Sequence, residues 1–142
     1  MIFIGIDPDV EKSGFAVWDS EKRELVEVRT YCFFELVERL KDFVLFGCEI
    51  RLVIEAGWLI KKSNFHGRKG QSKSVGEKIA KAVGANHQIG KLLVEWCAFN
   101  GVLYKEIKPQ GKLSAIEFKR VTGWDGRTNS EQRDSAMLVF SL

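Results

Sequence analysis

The hydrophobic period of this chain changes near Cys32, and that change restricts the fold more than any other feature of the sequence. Before it, the apolar residues run in strand patterns. Ile2-Phe3-Ile4-Gly5-Ile6 ends at Asp7, and Ser13-Gly14-Phe15-Ala16-Val17-Trp18-Asp19 follows after the polar turn Pro8 to Lys12, so the pair reads as a hairpin. Glu24 to Cys32, with Leu25, Val26, Val28 and Tyr31, supplies a third strand. Beyond it, Leu36, Val37, Leu40, Phe43 and Val44 recur at helical spacing among Glu35, Glu38, Arg39 and Lys41, which predicts an amphipathic helix ending near Gly47.

From there strands and helices alternate. Ile50 to Ile54 reads as a fourth strand with Glu55 at its carboxyl end. Lys61 to Ser74 is polar, contains Gly67 and Gly70, and is expected to be an exposed loop. Ser74-Val75-Gly76-Glu77 reads as a capping box opening a long helix to about Phe99, with Ile79, Val83, Leu93 and Trp96 on its buried face. Val102 to Ile107 is a fifth strand, followed by a helix from about Lys112 to Val121. Thr128-Asn129-Ser130-Glu131 is expected to cap a last helix running through Ala136, Met137, Val139 and Phe140. This order predicts an α/β fold: a five-stranded mixed sheet, three antiparallel strands followed by two parallel ones, with helices on both faces. At 142 residues it is expected to form a single domain, 1–142. A chain of that size buries roughly 68% of its unfolded surface.

The formal net charge of +3 says little about partners, but its distribution says more. Between Lys61 and Lys81 there are seven basic residues against one acid, Glu77, an excess that attracts polyanions. Cys32, Cys48 and Cys97 are odd in number and widely spaced, so they read as reduced core residues, with neither a disulfide framework nor a zinc spacing. No basic region precedes the first apolar run, and no run approaches the roughly 18 residues of a membrane span. A cytosolic protein without membrane association is expected.

The chemistry is carried by acids. Asp7 and Glu55 both end strands, where open α/β sheets gather their functional residues. Glu131 and Asp134 are three apart and share one face of the last helix. Asp134 lies too deep in that helix to cap it, whereas Glu131 has a competing role as the capping partner of Thr128. Carboxylates brought from three distant segments suit hard divalent cations, which points to metal-assisted phosphodiester hydrolysis.

Ile4-Gly5-Ile6-Asp7-Pro8, Ser13-Gly14-Phe15-Ala16-Val17, Leu52-Val53-Ile54-Glu55 and Arg133-Asp134-Ser135-Ala136-Met137-Leu138, in this order, resemble the RuvC-type Holliday-junction resolvases of the ribonuclease H-like nuclease superfamily. The resemblance spans essentially the whole chain. It implies a homodimeric endonuclease, dependent on Mg²⁺ or Mn²⁺, that nicks two strands of a four-way DNA junction. Asp7 then corresponds to the family's first-strand aspartate, Glu55 to its fourth-strand glutamate, and Asp134 to the second of two aspartates on the last helix. Glu131 stands at the first of those helix positions, where the family usually has Asp. The implied mechanism uses two ions about 4 Å apart, bridged by Asp7, with Glu55 and Asp134 each holding one and Glu131 assisting.

Asp9 replaces the glycine common after Asp-Pro in the family, and with Glu11 it adds negative charge where phosphate would enter. Trp58, three residues after Glu55, has the offset of the family's base-stacking aromatic. Lys108 and Lys112 resemble its phosphate-contacting lysines, and Lys61, Lys62, Arg68, Lys69 and Lys73 complete the expected DNA surface. His66 and His87 match no superfamily motif and read as surface or helix residues. Three rivals remain: a related nuclease acting on RNA or another branched nucleic acid, a catalytically degraded nucleic-acid-binding module, and an actin- or sugar-kinase-type ATPase. The last needs a second lobe that 142 residues are not expected to contain.

Overall fold

The computed structural model describes residues 1–61, 70 and 72–142. Strands β1 (Ile2–Asp7), β2 (Ser13–Asp19), β3 (Glu24–Tyr31), β4 (Ile50–Glu55) and β5 (Leu103–Ile107) form one sheet in the order β3-β2-β1-β4-β5. The β1/β2 and β2/β3 pairs are antiparallel, and β1/β4 and β4/β5 are parallel. Helices α1 (Phe33–Leu45), α2 (Lys73–Asn100), α3 (Ala115–Thr122) and α4 (Ser130–Val139) accompany the sheet, with a short 3₁₀ turn at Gly57–Leu59 after β4. The expected mixed sheet is therefore present, with strand bounds within a residue of those read from the sequence.

Side chains alternate across the sheet with a period of two, and this sorts the core into two layers. Ile4, Ile6, Phe15, Val17, Leu52 and Ile54 pack with Leu36 and Leu40 of α1 and with Leu93 and Cys97 of α2. On the other face, Ala16, Trp18 and Val53 pack with Phe118 of α3 and with Ala136, Leu138 and Val139 of α4. Asp7 shares the parity of Gly5, and Glu55 that of Val53, so both acids belong to the α4 face.

Two glycines set how closely α4 approaches. A Cβ on Gly5 would collide with the backbone carbonyl of Ser135, and one on Gly14 with that of Glu131. Without those side chains the helix backbone lies directly on β1 and β2, the close approach for which glycine suits a strand interior.

The helix starts differ from the sequence reading. Helix α2 is capped by Ser72, whose hydroxyl accepts the Val75 N–H, instead of by Ser74 with Glu77. Helix α4 is capped by Asn129, whose Oδ1 accepts the Gln132 N–H at 2.9 Å while Gln132 Oε1 accepts the Asn129 N–H at 2.8 Å. Neighbouring capping candidates one or two residues apart satisfy the same pattern, and only backbone geometry selects between them.

Burial also departs from expectation. Along α2, Leu93 is buried and Trp96 and Val83 are half-buried, but Ile79 is exposed, as are most residues of the first turns of the helix. Of the cysteines, Cys97 is buried, Cys32 is partly covered and Cys48 is exposed in the turn after α1. Burial pushes the Cys97 thiol up to about 12, so it remains protonated and inert. Among the described residues, no helix is long and apolar enough to cross a membrane.

Candidate active site

The site begins with strand register. Ile6 pairs with Ile54 across the parallel β1/β4 ladder, so Asp7 and Glu55, each one residue further, emerge side by side from adjacent strands. Neighbouring strands lie about 4.8 Å apart, close enough for the two carboxylates to repel strongly. Asp7 also pairs with Gly14 on its other side, and the backbone of Glu131 rests on Gly14. The first turn of α4 is thereby held over the end of β1, with Asp134 one turn further along.

The electrostatics record this convergence. The Asp7 carboxyl is pushed up to about 7, first by burial and then by Glu55, Asp134 and Glu131, with Lys112 acting in the opposite direction. Glu55 is also raised, by burial and then by Asp134, again opposed by Lys112. Asp134 is largely enclosed, its side chain only 8% exposed, and its Oδ2 accepts Lys112 Nζ at 2.7 Å. That hydrogen bond to Asp134 holds the Lys112 ammonium above its ordinary range. The loop bearing Lys112 is tied to α4 by Arg133, which donates Nε to the Leu113 carbonyl and a terminal guanidinium nitrogen to the Thr128 carbonyl, both at 2.9 Å.

The change of cap releases Glu131. With Asn129 and Gln132 closing the helix start, the Glu131 carboxylate accepts the Ser130 hydroxyl and lines the same cleft of about 250 Å³ as Asp7, Glu55 and Lys112. This donor set, all oxygen and mutually repelling, fits a hard divalent cation in its chemistry. Among the described residues, no three acids, histidines or cysteines are already gathered at ligand spacing. Part of their charge is met by the Lys112 ammonium.

The cleft also contains residues that sequence reasoning did not select. His87 of α2 lies against Gly57, where an added Cβ would be 2.6 Å from its Nε2, and Asn86 reaches the turn after Asp7. The available signal was spacing: Gly57 follows Glu55 by two residues, and Gly90 follows His87 by one helical turn. Asp9 lines the cleft, with its carboxylate engaged by the turn and by α2. Its Oδ1 accepts the Glu11 and Lys12 N–H groups, and its Oδ2 accepts Asn86 Nδ2.

Trp58 is half-buried. Its ring fills the space a Gly90 side chain would need, stands edge-on to His87 and donates Nε1–H to Glu106 Oε2 at 2.9 Å, while part of the side chain lines the cleft. Lys61, Lys73 and Lys108 are exposed. Lys62, Arg68 and Lys69, with His66 and most of the expected loop, lie outside the described residues.

A mixed sheet in this order, with carboxylates at the ends of its two central parallel strands and on the helix across them, defines a ribonuclease H-like α/β fold. More particularly, the fold is of the RuvC type. A structure described as T. thermophilus RuvC in complex with Holliday junction substrate matches with a TM-score of 0.61 and 14% sequence identity, over 99% of this chain and 92% of that one. A second Thermus thermophilus RuvC structure gives a TM-score of 0.48 and 17% identity over the same shares. No family model and no curated protein sequence matches the chain.

Proposed function

We propose that this chain is a metal-dependent endonuclease that cleaves phosphodiester bonds of branched DNA, with four-way junctions as its substrate, acting as a homodimer of single nuclease domains. The observation that carries this reading is the Asp7 carboxyl, pushed up to about 7 by burial and by Glu55, Asp134 and Glu131 drawn from β4 and α4. Such crowding of carboxylates is unfavourable unless a cation is shared between them, and perturbed acids in a cleft are candidates for chemistry. The likeness to a RuvC whose structure is described as a Holliday-junction complex supports DNA as the substrate class.

Asp7, Glu55 and Asp134 would hold Mg²⁺ or Mn²⁺, with Glu131 assisting from the adjoining turn. The bound cations, two in the simplest case, would activate water and neutralise the leaving 3′ oxygen of an in-line displacement. Lys112 sits on the Asp134 edge of the cleft with its side chain 71% exposed, where it would engage a phosphate. Lys61, Lys73 and Lys108, with Lys62, Arg68 and Lys69, would supply phosphate affinity that falls steeply with salt. Trp58 would contribute stacking through the part of its ring that lines the cleft.

The decisive assay compares cleavage of a four-way DNA junction, a DNA duplex and an RNA–DNA hybrid in Mg²⁺ and Mn²⁺, by wild type and by Asp7→Asn. Junction-selective nicking lost in Asp7→Asn, with junction binding kept, is the expected result. Full cleavage by Asp7→Asn would sink the metal-site reading. Preference for the hybrid would move the substrate to RNA, and binding without cleavage in either metal would leave a nucleic-acid-binding module.

A further inference from the structure

The turn after Asp7 is gripped from two directions. Within the turn, Asp9 Oδ1 accepts the N–H of Glu11 at 2.8 Å and of Lys12 at 3.2 Å. The Asp9 N–H donates to Ser13 Oγ at 3.1 Å, and the Ser13 hydroxyl donates back to the Asp9 carbonyl at 3.2 Å. From outside, Asn86 donates Nδ2 to Asp9 Oδ2 at 3.2 Å and accepts the Val10 N–H at Oδ1 at 2.8 Å. Both ends of the Asn86 amide are used, and a flipped amide would set an NH₂ against the Val10 N–H, so its orientation is determined by its partners.

The same turn of α2 touches the other acid-bearing strand. His87 fills the space beside Gly57, and Gly90 receives the Trp58 ring and lies against Pro8, whose Cγ would be 3.2 Å from a Cβ there. Residues 86–90 therefore bridge the segment following Asp7 and the segment following Glu55. Elsewhere around the cleft, Asp7 is held by strand pairing to Gly14 and by the backbone of its own strand.

We propose that Asn86 is a positioning residue: by clamping Asp9 and Val10 to α2 it steadies the Asp7 carboxylate relative to Glu55. The proposal rests on the nuclease reading of this site. It assigns Asp9 a structural charge that is satisfied by three donors, and it makes α2 the brace that steadies the turns following the two strand-end acids, whose spacing the β1/β4 register sets. Misplacement of a reacting group by about 1 Å costs on the order of 100-fold in rate.

The hydrogen-bond chemistry supplies a sharp test, because the pair can be exchanged. Asn86→Asp alone sets two carboxylates face to face. Asp9→Asn alone sets two amide NH₂ groups face to face while keeping the acceptor for Glu11 and Lys12. Asp9→Asn combined with Asn86→Asp restores every bond with one donor direction reversed. Each single variant is expected to lower kcat for junction cleavage about 10- to 100-fold with KM changed by less than about 2-fold, and the double variant to recover most of that loss.

The second readout is the shift in Tm on adding Mn²⁺ to each full-length protein, which needs no turnover. It should shrink in both single variants and return in the double. If wild type cleaves no junction, the nuclease reading fails while the Mn²⁺ shifts still decide the clamp. Single variants with wild-type kcat and Mn²⁺ shift overturn the proposal. So does a double variant no better than its parents, or a loss of Tm and junction affinity that the exchange does not repair.

Discussion

The backbone carbonyl of Glu131 occupies the space that a side chain on Gly14 would require. Gly14 is in turn the β2 partner of Asp7, so the missing Cβ fixes the distance between the first acid of the site and the helix that brings the last two. Closeness of two backbones brings Glu131 and Asp134 over Asp7, while the β1/β4 register supplies Glu55.

Gly14→Ala should push α4 away from β2. The expected cost is about 1–3 kcal/mol of stability, typical of forced overpacking, together with weaker Mg²⁺ binding, read by urea denaturation and calorimetry. Gly84→Ala is the matching control, because Gly84 lies within α2 with nothing within 4 Å of an added Cβ. Relief of glycine's backbone entropy should stabilise that variant by about 0.5–1 kcal/mol. Equal responses of the two variants would remove the close-packing account.

The proton on Asp7 makes stability depend on pH. Its carboxyl binds a proton up to about 7 in the fold, against an ordinary 3.8, and Glu55 is shifted in the same direction. The native state thus holds protons that the unfolded chain has already lost. The stabilisation that Asp7 contributes to the metal-free protein is complete below about pH 4 and disappears as pH rises through 7. Thermal melts in EDTA should show Tm falling from about pH 5 to about pH 8, less steeply in Asp7→Asn. Mg²⁺ should raise Tm more at pH 8, where it no longer competes with the proton. A wild-type curve parallel to that of Asp7→Asn would contradict this account.

Lys112 acts as a tethered counter-charge to Asp134, Asp7 and Glu55. Lys112→Ala should raise the pH midpoint of the Asp7-dependent melting transition, since a nearby cation that opposes the shift is removed. In junction binding it should reduce the slope of log K against log salt by about 1, the signature of one lost phosphate contact. An unchanged slope would place Lys112 outside the DNA surface.

Trp58 is tied into the packing between β4 and α2. Trp58→Ala should lower stability, by less than the cost of about 3–5 kcal/mol for a fully buried aromatic truncation because the ring is half-buried, as well as weakening junction binding. Trp58→Phe keeps a ring over Gly90 but leaves Glu106 without its indole donor, and should cost about 1 kcal/mol. Denaturation midpoints that did not move in either variant would make Trp58 a free surface wedge.

Much of this architecture was legible because it is local. Strand alternation up to Tyr31, the helical period from Phe33 and the acids at the ends of β1 and β4 depend on residues within one or two turns of each other, and they survive in the fold almost unchanged. Cap assignment was less legible: Ser72 replaces Ser74, and Asn129 replaces Thr128, because several small polar residues compete within a few positions. That shift matters chemically, since it releases Glu131 from the helix start and turns its carboxylate toward the cleft.

The amino-acid sequence by itself determined the order of the elements, their periods and which acids stand at strand ends, since these follow from backbone propensity and side-chain polarity along short stretches. Tertiary structure alone decided the company those acids keep. The bond from the Val10 N–H to Asn86 spans 76 residues, His87 reaches the cleft only because Gly57 has no side chain, and Lys112 meets Asp134 across 22 residues. Contacts of that range are set by how closely packed layers approach one another, here through glycines that let backbone lie on backbone, and no short window of sequence contains that distance.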